Sequence, residues 1–182
     1  MTTDRVGRLG TLANAVTFTR VLSVPLLAVA ILTDARLSAA ALFAWAVVTD
    51  LVDGRLARRR GEVSNLGGLL DHSADAFFCS VGLGALASVG VVPVPLPFLV
   101  ALAFTQYMLD SRSIAGKPLR ASSLGRWNGI FYFVMIGIPV VRDALGLAWP
   151  GPGLVMAIGW LLVASTLVSM GDRLVALLSS RR

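Results

Sequence analysis

The chain has 182 residues, of which 56% are hydrophobic and only 14% are charged, and its mean hydropathy is +0.79. A soluble domain of this size would carry too little polar surface to stay dispersed, so the composition indicates a membrane protein with one domain, residues 1–182. The net charge of +6 would suit nucleic acid. The basic residues lie between apolar runs, however, which argues against nucleic acid and favours membrane lipids as partners.

Apolar runs long enough to cross about 30 Å of hydrocarbon recur along the whole chain. Such segments must be helical, because lipid offers the backbone no other hydrogen-bond partner. We therefore predict an all-α integral membrane protein with six transmembrane helices, at residues 12–33, 38–58, 68–90, 95–113, 124–146 and 153–178. A short interfacial helix is predicted before the first span, where Val6, Leu9 and Leu12 fall on one side.

The distribution of basic residues predicts the topology. The N-terminal side, the second loop, the fourth loop and the C-terminus hold 14 of the 16 lysines and arginines, with Arg20 counted on the N-terminal side. The other loops hold only Arg36 and Arg142. By the positive-inside rule, we predict that both termini and the second and fourth loops face the cytoplasm and that the protein lies in the plasma membrane.

Two pairs of aspartates mark the ends of neighbouring predicted helices. Asp50 and Asp53 are three residues apart, and Asp71 and Asp75 are four apart, so each pair shares a helix face. A short loop makes the two helices antiparallel neighbours, so the four carboxylates should converge at one end. Their repulsion needs a compensating charge, and hard oxygen ligands suit Mg²⁺ or Mn²⁺, here as two ions. Such a site can stabilise a displacement at phosphorus.

Small and basic residues follow the first aspartate pair. Gly54 and Ala57 would let a nucleotide approach the helix backbone closely, and Arg58 is placed to bind a phosphate. The alternative interpretation is that the aspartates only pair with nearby arginines at a helix end. A functional interpretation is favoured, because ionisable residues within membranes are costly and usually functional.

Residues 50–75 match the pattern D-x2-D-G-x2-A-R-x8-G-x3-D-x3-D at every fixed position, so the chain resembles the CDP-alcohol phosphotransferase family. The segment from Asn14 to Arg20 also resembles the N-x-x-T-x-x-R of bacterial members. The resemblance implies that an acceptor hydroxyl attacks the β-phosphorus of a CDP-alcohol and CMP leaves, without an organic cofactor, in what is commonly a homodimer. It further implies that the metal ligands are Asp50, Asp53, Asp71 and Asp75, that Asp75 is also the general base, and that the CDP site comprises Asp50, Asp53, Gly54, Ala57, Arg58 and Gly67.

Basic residues of the fourth loop are candidates for binding the acceptor. Family members with a phosphorylated acceptor hold its phosphate with basic residues here, which in this chain are Arg112, Lys117, Arg120 and Arg126. Ordinary membrane anchoring explains the same residues equally well. His72 lies about 100° around the helix from Asp71, so packing is favoured over a ligand role.

The sequence leaves the identity of the acceptor open. Phosphatidylglycerophosphate synthases typically continue the motif as D-P-x-A-D-K, whereas residues 71–76 here read D-H-S-A-D-A, which weakens glycerol 3-phosphate as the acceptor. We predict transfer of a phosphatidyl group from CDP-diacylglycerol to a polar or phosphorylated alcohol. The alternatives are an aminoalcohol-type enzyme that passes a CDP-linked head group to diacylglycerol, which the Asp71-His72 pair resembles, and a non-catalytic transporter or scaffold. In a transporter we would expect acidic residues to be spread along the transport pathway, whereas the aspartates here cluster at one cytoplasmic end.

Overall fold

The protein is described by a computed structural model over residues 12–60, 65–110 and 123–179, with side chains described for 15–52, 68–108 and 124–176. Every regular element in these ranges is an α-helix, which confirms the all-α part of the predicted fold class. The helices are α1 (Leu12–Leu32), α2 (Arg36–Arg60), α3 (Asn65–Ser88), α4 (Pro95–Asp110), α5 (Ser123–Ala144) and α6 (Pro152–Ser179). The predicted interfacial helix before Leu12 lies outside the described residues.

Three of the helices are long and apolar enough to cross a membrane. These segments are Ala15–Leu32 in α1, Leu124–Ala144 in α5 and Pro152–Ala176 in α6. The apolar stretch of α4, Pro95–Met108, is shorter. The six helices match the six predicted spans in order and approximate position, but six membrane crossings remain a prediction.

The exterior of α1 has the character expected of a lipid-facing surface. Phe18, Leu22 and Leu26 follow one another at a spacing of four residues, and each is more than half exposed. The opposite side of α1 is buried and carries polar groups, among them Arg20 and Ser23. An apolar stripe of this size is unfavourable in water and favourable in hydrocarbon. The helix therefore turns its polar residues inward.

A tight connection makes α1 and α2 antiparallel neighbours. Asp34 adopts a left-handed backbone conformation (φ 53°), which aspartate tolerates better than most residues. Its carboxylate accepts two hydrogen bonds from Arg36, from Nε and Nη2, both at 2.9 Å. The hydrogen bond from Arg36 lowers the pKa of Asp34 below its usual value.

The packing order places α3 at the centre of the bundle. Helix α1 packs against α2 and α3, α2 also packs against α5, α3 packs against α4 and α5, and α6 packs against α4 and α5. Phe78 of α3 is fully buried and stacks on Phe133 of α5 with ring centroids 5.0 Å apart. Helix α3, together with the direct contact between α2 and α5, thus links the half of the bundle formed with α1 and α2 to the half formed by α4, α5 and α6.

Gly159 of α6 allows α6 to approach the turn before α4. A Cβ at this position would overlap Cδ of Pro93 and would lie 3.5 Å from Cε of Met135. We expect Gly159→Ala to lower stability by about 1–3 kcal/mol, because the Pro93 ring is rigid. The measurement is the thermal unfolding midpoint of the protein in detergent.

The matched control is Gly171→Ala in the same helix, where an added Cβ meets nothing within 4 Å among the described residues. That variant should unfold at or slightly above the wild-type midpoint, because alanine is the better helix former. Equal midpoints for the two variants would contradict the close approach at Gly159.

Candidate functional site: a carboxylate cluster beside a cavity

Among the residues whose side chains are described, three carboxylates from two helices meet at one end of the bundle. Asp50 comes from α2, and Asp71 and Asp75 come from α3, one helical turn apart. One oxygen atom from each lies within 4.8 Å of the others. The side chains are 40%, 37% and 30% exposed, respectively, so the cluster is open on one side. A ligand can therefore reach these oxygens.

Arg20 of α1 lies in the middle of this cluster and is fully buried. Its Nη1 donates to Oδ1 of Asp50 at 2.6 Å and to Oδ1 of Asp75 at 2.5 Å. Its Nη2 donates to Oδ1 of Asp71 at 2.8 Å. One guanidinium therefore joins α1 to both α2 and α3. Buried charges are stable only when paired in this way.

Other residues that the sequence assigned to the site are placed only by their backbone or not at all. Asp53, Gly54, Ala57 and Arg58 lie in the last turns of α2, and Gly67 lies in the first turn of α3. Their side chains are outside the described part of the chain. The predicted acceptor-binding residues Arg112, Lys117 and Arg120 also lie outside the described residues.

A cavity of about 640 Å³ opens next to the carboxylates, between α3, α4, α5 and α6. Asp50 and Asp75 form part of its wall. Asp50 and Asp75 therefore belong both to the carboxylate cluster and to the cavity. A molecule in the cavity would place its polar end against the same aspartates that face Arg20.

Two arginines line the cavity near the ends of α5 and α6 that lie on the side of the aspartates. Arg126 is exposed and Arg173 is half-buried. The guanidinium carbon of Arg173 lies 5.2 Å from the centroid of the Tyr107 ring, a cation–π contact. The His72 ring packs edge-on against Tyr107 with centroids 5.9 Å apart. This geometry fits the predicted packing role of His72, although His72 also lines the cavity.

Polar groups continue along the inner wall of the cavity. The buried Tyr132 hydroxyl and the Thr166 hydroxyl lie 2.8 Å apart. The Thr166 hydroxyl donates to the backbone carbonyl of Leu162, so Tyr132 is the donor to Thr166. The Ser165 hydroxyl donates to Oδ1 of Asn128 at 2.7 Å. These bonds fix α5 against α6 and give the cavity a hydrogen-bonding wall.

The cluster fits a divalent cation by the chemistry of its donors. Carboxylate oxygens in this number are the ligands that Mg²⁺ and Mn²⁺ prefer, and these are close enough to share an ion. An ion held here would lie at the edge of the cavity, beside Asp75.

An all-helical membrane bundle with a carboxylate cluster beside a largely apolar cavity is the class of protein that this fold and site define. The chain matches the CDP-alcohol phosphatidyltransferase family over residues 10–169, and it belongs to that family.

Three relatives illustrate the match. The chain is 28% identical over 154 residues to the cardiolipin synthase (CMP-forming)/mitochondrial hydrolase fusion protein of Schizosaccharomyces pombe, an alignment that covers 74% of the chain and 26% of that protein. It is 31% identical over 123 residues to CDP-diacylglycerol–glycerol-3-phosphate 3-phosphatidyltransferase 2 of Arabidopsis thaliana, an alignment that covers 64% of the chain and 50% of that protein. It is 34% identical over 91 residues to human cardiolipin synthase (CMP-forming), an alignment that covers 50% of the chain and 30% of that protein. The chain thus aligns with half or less of each relative's length.

Sequence reasoning assigned no role in the site to Arg20 or Arg173. Arg20 was interpreted as a topological charge, and its position at the end of the N-x-x-T-x-x-R segment was the available signal. Arg173 lies inside the sixth apolar run, where an arginine is unusual. That placement is the signal that marks it as a functional candidate.

Metal binding to the cluster can be measured directly. We expect Asp71→Asn to weaken binding of Mn²⁺ about tenfold or more, because one anionic ligand is lost. Electron paramagnetic resonance of free Mn²⁺ during a titration in zwitterionic nanodiscs gives the affinity. Asp143→Asn is the control, since Asp143 pairs with Arg142 outside the cluster. Equal affinities for the two variants would contradict a metal site at the cluster.

Proposed function

We propose that the protein is a phospholipid-synthesis enzyme that transfers a phosphatidyl group from CDP-diacylglycerol to an alcohol acceptor and releases CMP. The observation that carries the proposal is the double position of Asp50 and Asp75, which lie in the carboxylate cluster and in the cavity wall. Of the two, Asp75 is the residue to which the family pattern gives the role of general base. A hydroxyl group in the cavity that lies against Asp75 is next to the place where a metal-bound phosphate would be held. Family membership supports the reaction type.

Asp75 acts as the general base in this proposal. Its carboxylate takes the proton of the acceptor hydroxyl as that oxygen attacks the β-phosphorus of the CDP-alcohol, and the bond from this phosphorus to the bridging oxygen of CMP breaks. Asp50, Asp53 and Asp71, together with Asp75, would hold two Mg²⁺ or Mn²⁺ ions. When bound, these ions supply charge neutralisation on the attacked phosphate and on the leaving CMP.

The CDP end of the donor would lie along the last turns of α2. Gly54 and Ala57 leave the helix surface open to the nucleotide, and Arg58 binds a phosphate. In this proposal, Gly67 lets α3 approach α2 closely. These assignments come from the match of residues 50–75 to the family pattern.

The acceptor would occupy the cavity. Arg126 and Arg173 give it two positive charges, which suits an acceptor that carries a phosphate. The relatives' names include a glycerol-3-phosphate phosphatidyltransferase and cardiolipin synthases. Glycerol 3-phosphate and phosphatidylglycerol both offer a free primary hydroxyl and a phosphate. They are therefore the first acceptors to test.

The same proposal includes the arrangement in the membrane. All six helices cross the plasma membrane, with both termini and the carboxylate cluster on the cytoplasmic side, as the distribution of basic residues predicts. The three long apolar helices support a membrane location. Two copies of the chain form a homodimer.

The reaction is tested by incubating purified protein with CDP-diacylglycerol, Mg²⁺ or Mn²⁺ and single acceptors, and measuring CMP release. The acceptors are glycerol 3-phosphate, phosphatidylglycerol, inositol 1-phosphate, inositol and serine. We expect metal-dependent CMP release with one acceptor, and a loss of about 10²–10⁴-fold in Asp75→Asn because the general base is removed.

Asp143→Asn again serves as the control and should retain wild-type activity, since Asp143 lies outside the cluster. If the wild-type protein releases no CMP with any of these acceptors, phosphatidyl transfer would be contradicted. CMP release from CDP-choline or CDP-ethanolamine with diacylglycerol would then support the aminoalcohol-type reaction instead.

The acceptor site is tested at Arg126 and Arg173. We expect Arg126→Gln and Arg173→Gln each to raise the KM for a phosphorylated acceptor about tenfold or more, because a charged hydrogen bond to phosphate is lost. The KM for CDP-diacylglycerol should change little. Equal effects on both substrates would argue against an acceptor-binding role for these arginines.

A further inference from the structure

Arg20 contacts the same carboxylate oxygens that a divalent ion would use. Its Nη1 lies 2.6 Å from Oδ1 of Asp50 and 2.5 Å from Oδ1 of Asp75. Mg²⁺ binds oxygen at about 2.1 Å, so an ion between these two oxygens needs the space that Nη1 occupies. The guanidinium and the ion are both cations and compete for the same partners.

The surroundings of Arg20 explain why a cation stands there. The side chain is fully buried, whereas Asp50, Asp71 and Asp75, which it contacts, are each partly exposed. Three carboxylates this close repel one another strongly, and without a cation between them they would separate. Arg20 is contributed by α1, which carries no acid of its own. Its contacts to the carboxylates therefore also fix α1 to α2 and α3.

We propose that Arg20 is the built-in counter-cation of the metal site. It holds Asp50, Asp71 and Asp75 together until a divalent ion binds, and metal binding displaces its guanidinium from the carboxylate oxygens. The inference rests on the proposed metal site, but it does not depend on which acceptor the enzyme uses. It assigns Arg20 a positioning role: the residue prepares the cluster and competes with the metal.

The test compares wild type with Arg20→Met, which keeps the length of the side chain and removes its charge. In metal-free buffer the variant should unfold about 6 °C or more below wild type, because the carboxylates lose their counter-charge. Mn²⁺ should bind the variant about tenfold or more tightly, because its competitor is gone. It should also raise the unfolding midpoint of the variant more than that of wild type. The readouts are a Mn²⁺ titration in zwitterionic nanodiscs and thermal unfolding with and without the ion.

Arg142→Met is the matched control. Arg142 is a half-buried arginine that donates to Asp143 at 2.6 Å and to the Pro150 carbonyl at 3.0 Å, outside the cluster. Its loss can lower stability, but the response to Mn²⁺ should equal that of wild type. An Arg20→Met variant that binds Mn²⁺ as weakly as wild type, or more weakly, would overturn the displacement of Arg20.

A double variant keeps the test decisive if Arg20→Met is too unstable to purify without metal. Removing one negative charge in Arg20→Met/Asp71→Asn should restore part of the lost stability, since fewer charges then need neutralising. A double variant no more stable than Arg20→Met, or one that is equally impossible to purify, would refute the counter-charge role. If wild type itself binds no Mn²⁺, the proposed metal site and the displacement fail together, while this comparison still decides whether Arg20 is the counter-charge.

Discussion

Three acidic side chains lie within 4.8 Å of one another in a bundle whose outer surface is largely apolar, and their mutual repulsion constrains the structure around them. In such surroundings a cation must be supplied by the protein or by the solvent. The chain supplies Arg20, and it does so from α1, the helix that packs against both acid-bearing helices. The orientation of α1 follows from this contact. Its polar side faces inward, and its apolar residues are left for the lipid.

The helices of the bundle form two groups, one around the charged cluster and one around the cavity. Helices α1, α2 and α3 bring together the acids and their counter-charge, while α4, α5 and α6 close around the cavity with α3. Helix α3 belongs to both groups, and Phe78 ties its middle to α5 by stacking on Phe133. Asp75 lies on this shared helix. The carboxylate cluster and the cavity therefore meet where the two groups of helices join.

Periodicity and hydropathy were enough to predict the helices, because apolar runs and turn residues are local features of a sequence. The convergence of Asp50, Asp71 and Asp75 was also predictable, since helical spacing and a short loop determine it. The contact of Arg20 with these carboxylates was not predictable from the sequence. An arginine near the start of an apolar run looks the same whether it reaches the membrane surface or turns into the bundle. Only the rotation of α1 about its axis, which depends on tertiary packing, decides between the two.

The departures from the phosphatidylglycerophosphate synthase motif have a structural location. Where that motif has proline and lysine, this chain has His72 and Ala76, and both line the cavity beside Asp75. The aspartates of the motif are kept, so the changes alter the cavity wall and leave the proposed metal ligands in place. The positive charge that a lysine would bring is available instead from Arg126 and Arg173 on the opposite helices. Loss of the motif lysine therefore does not by itself argue against a phosphorylated acceptor, because its phosphate can be held from α5 and α6.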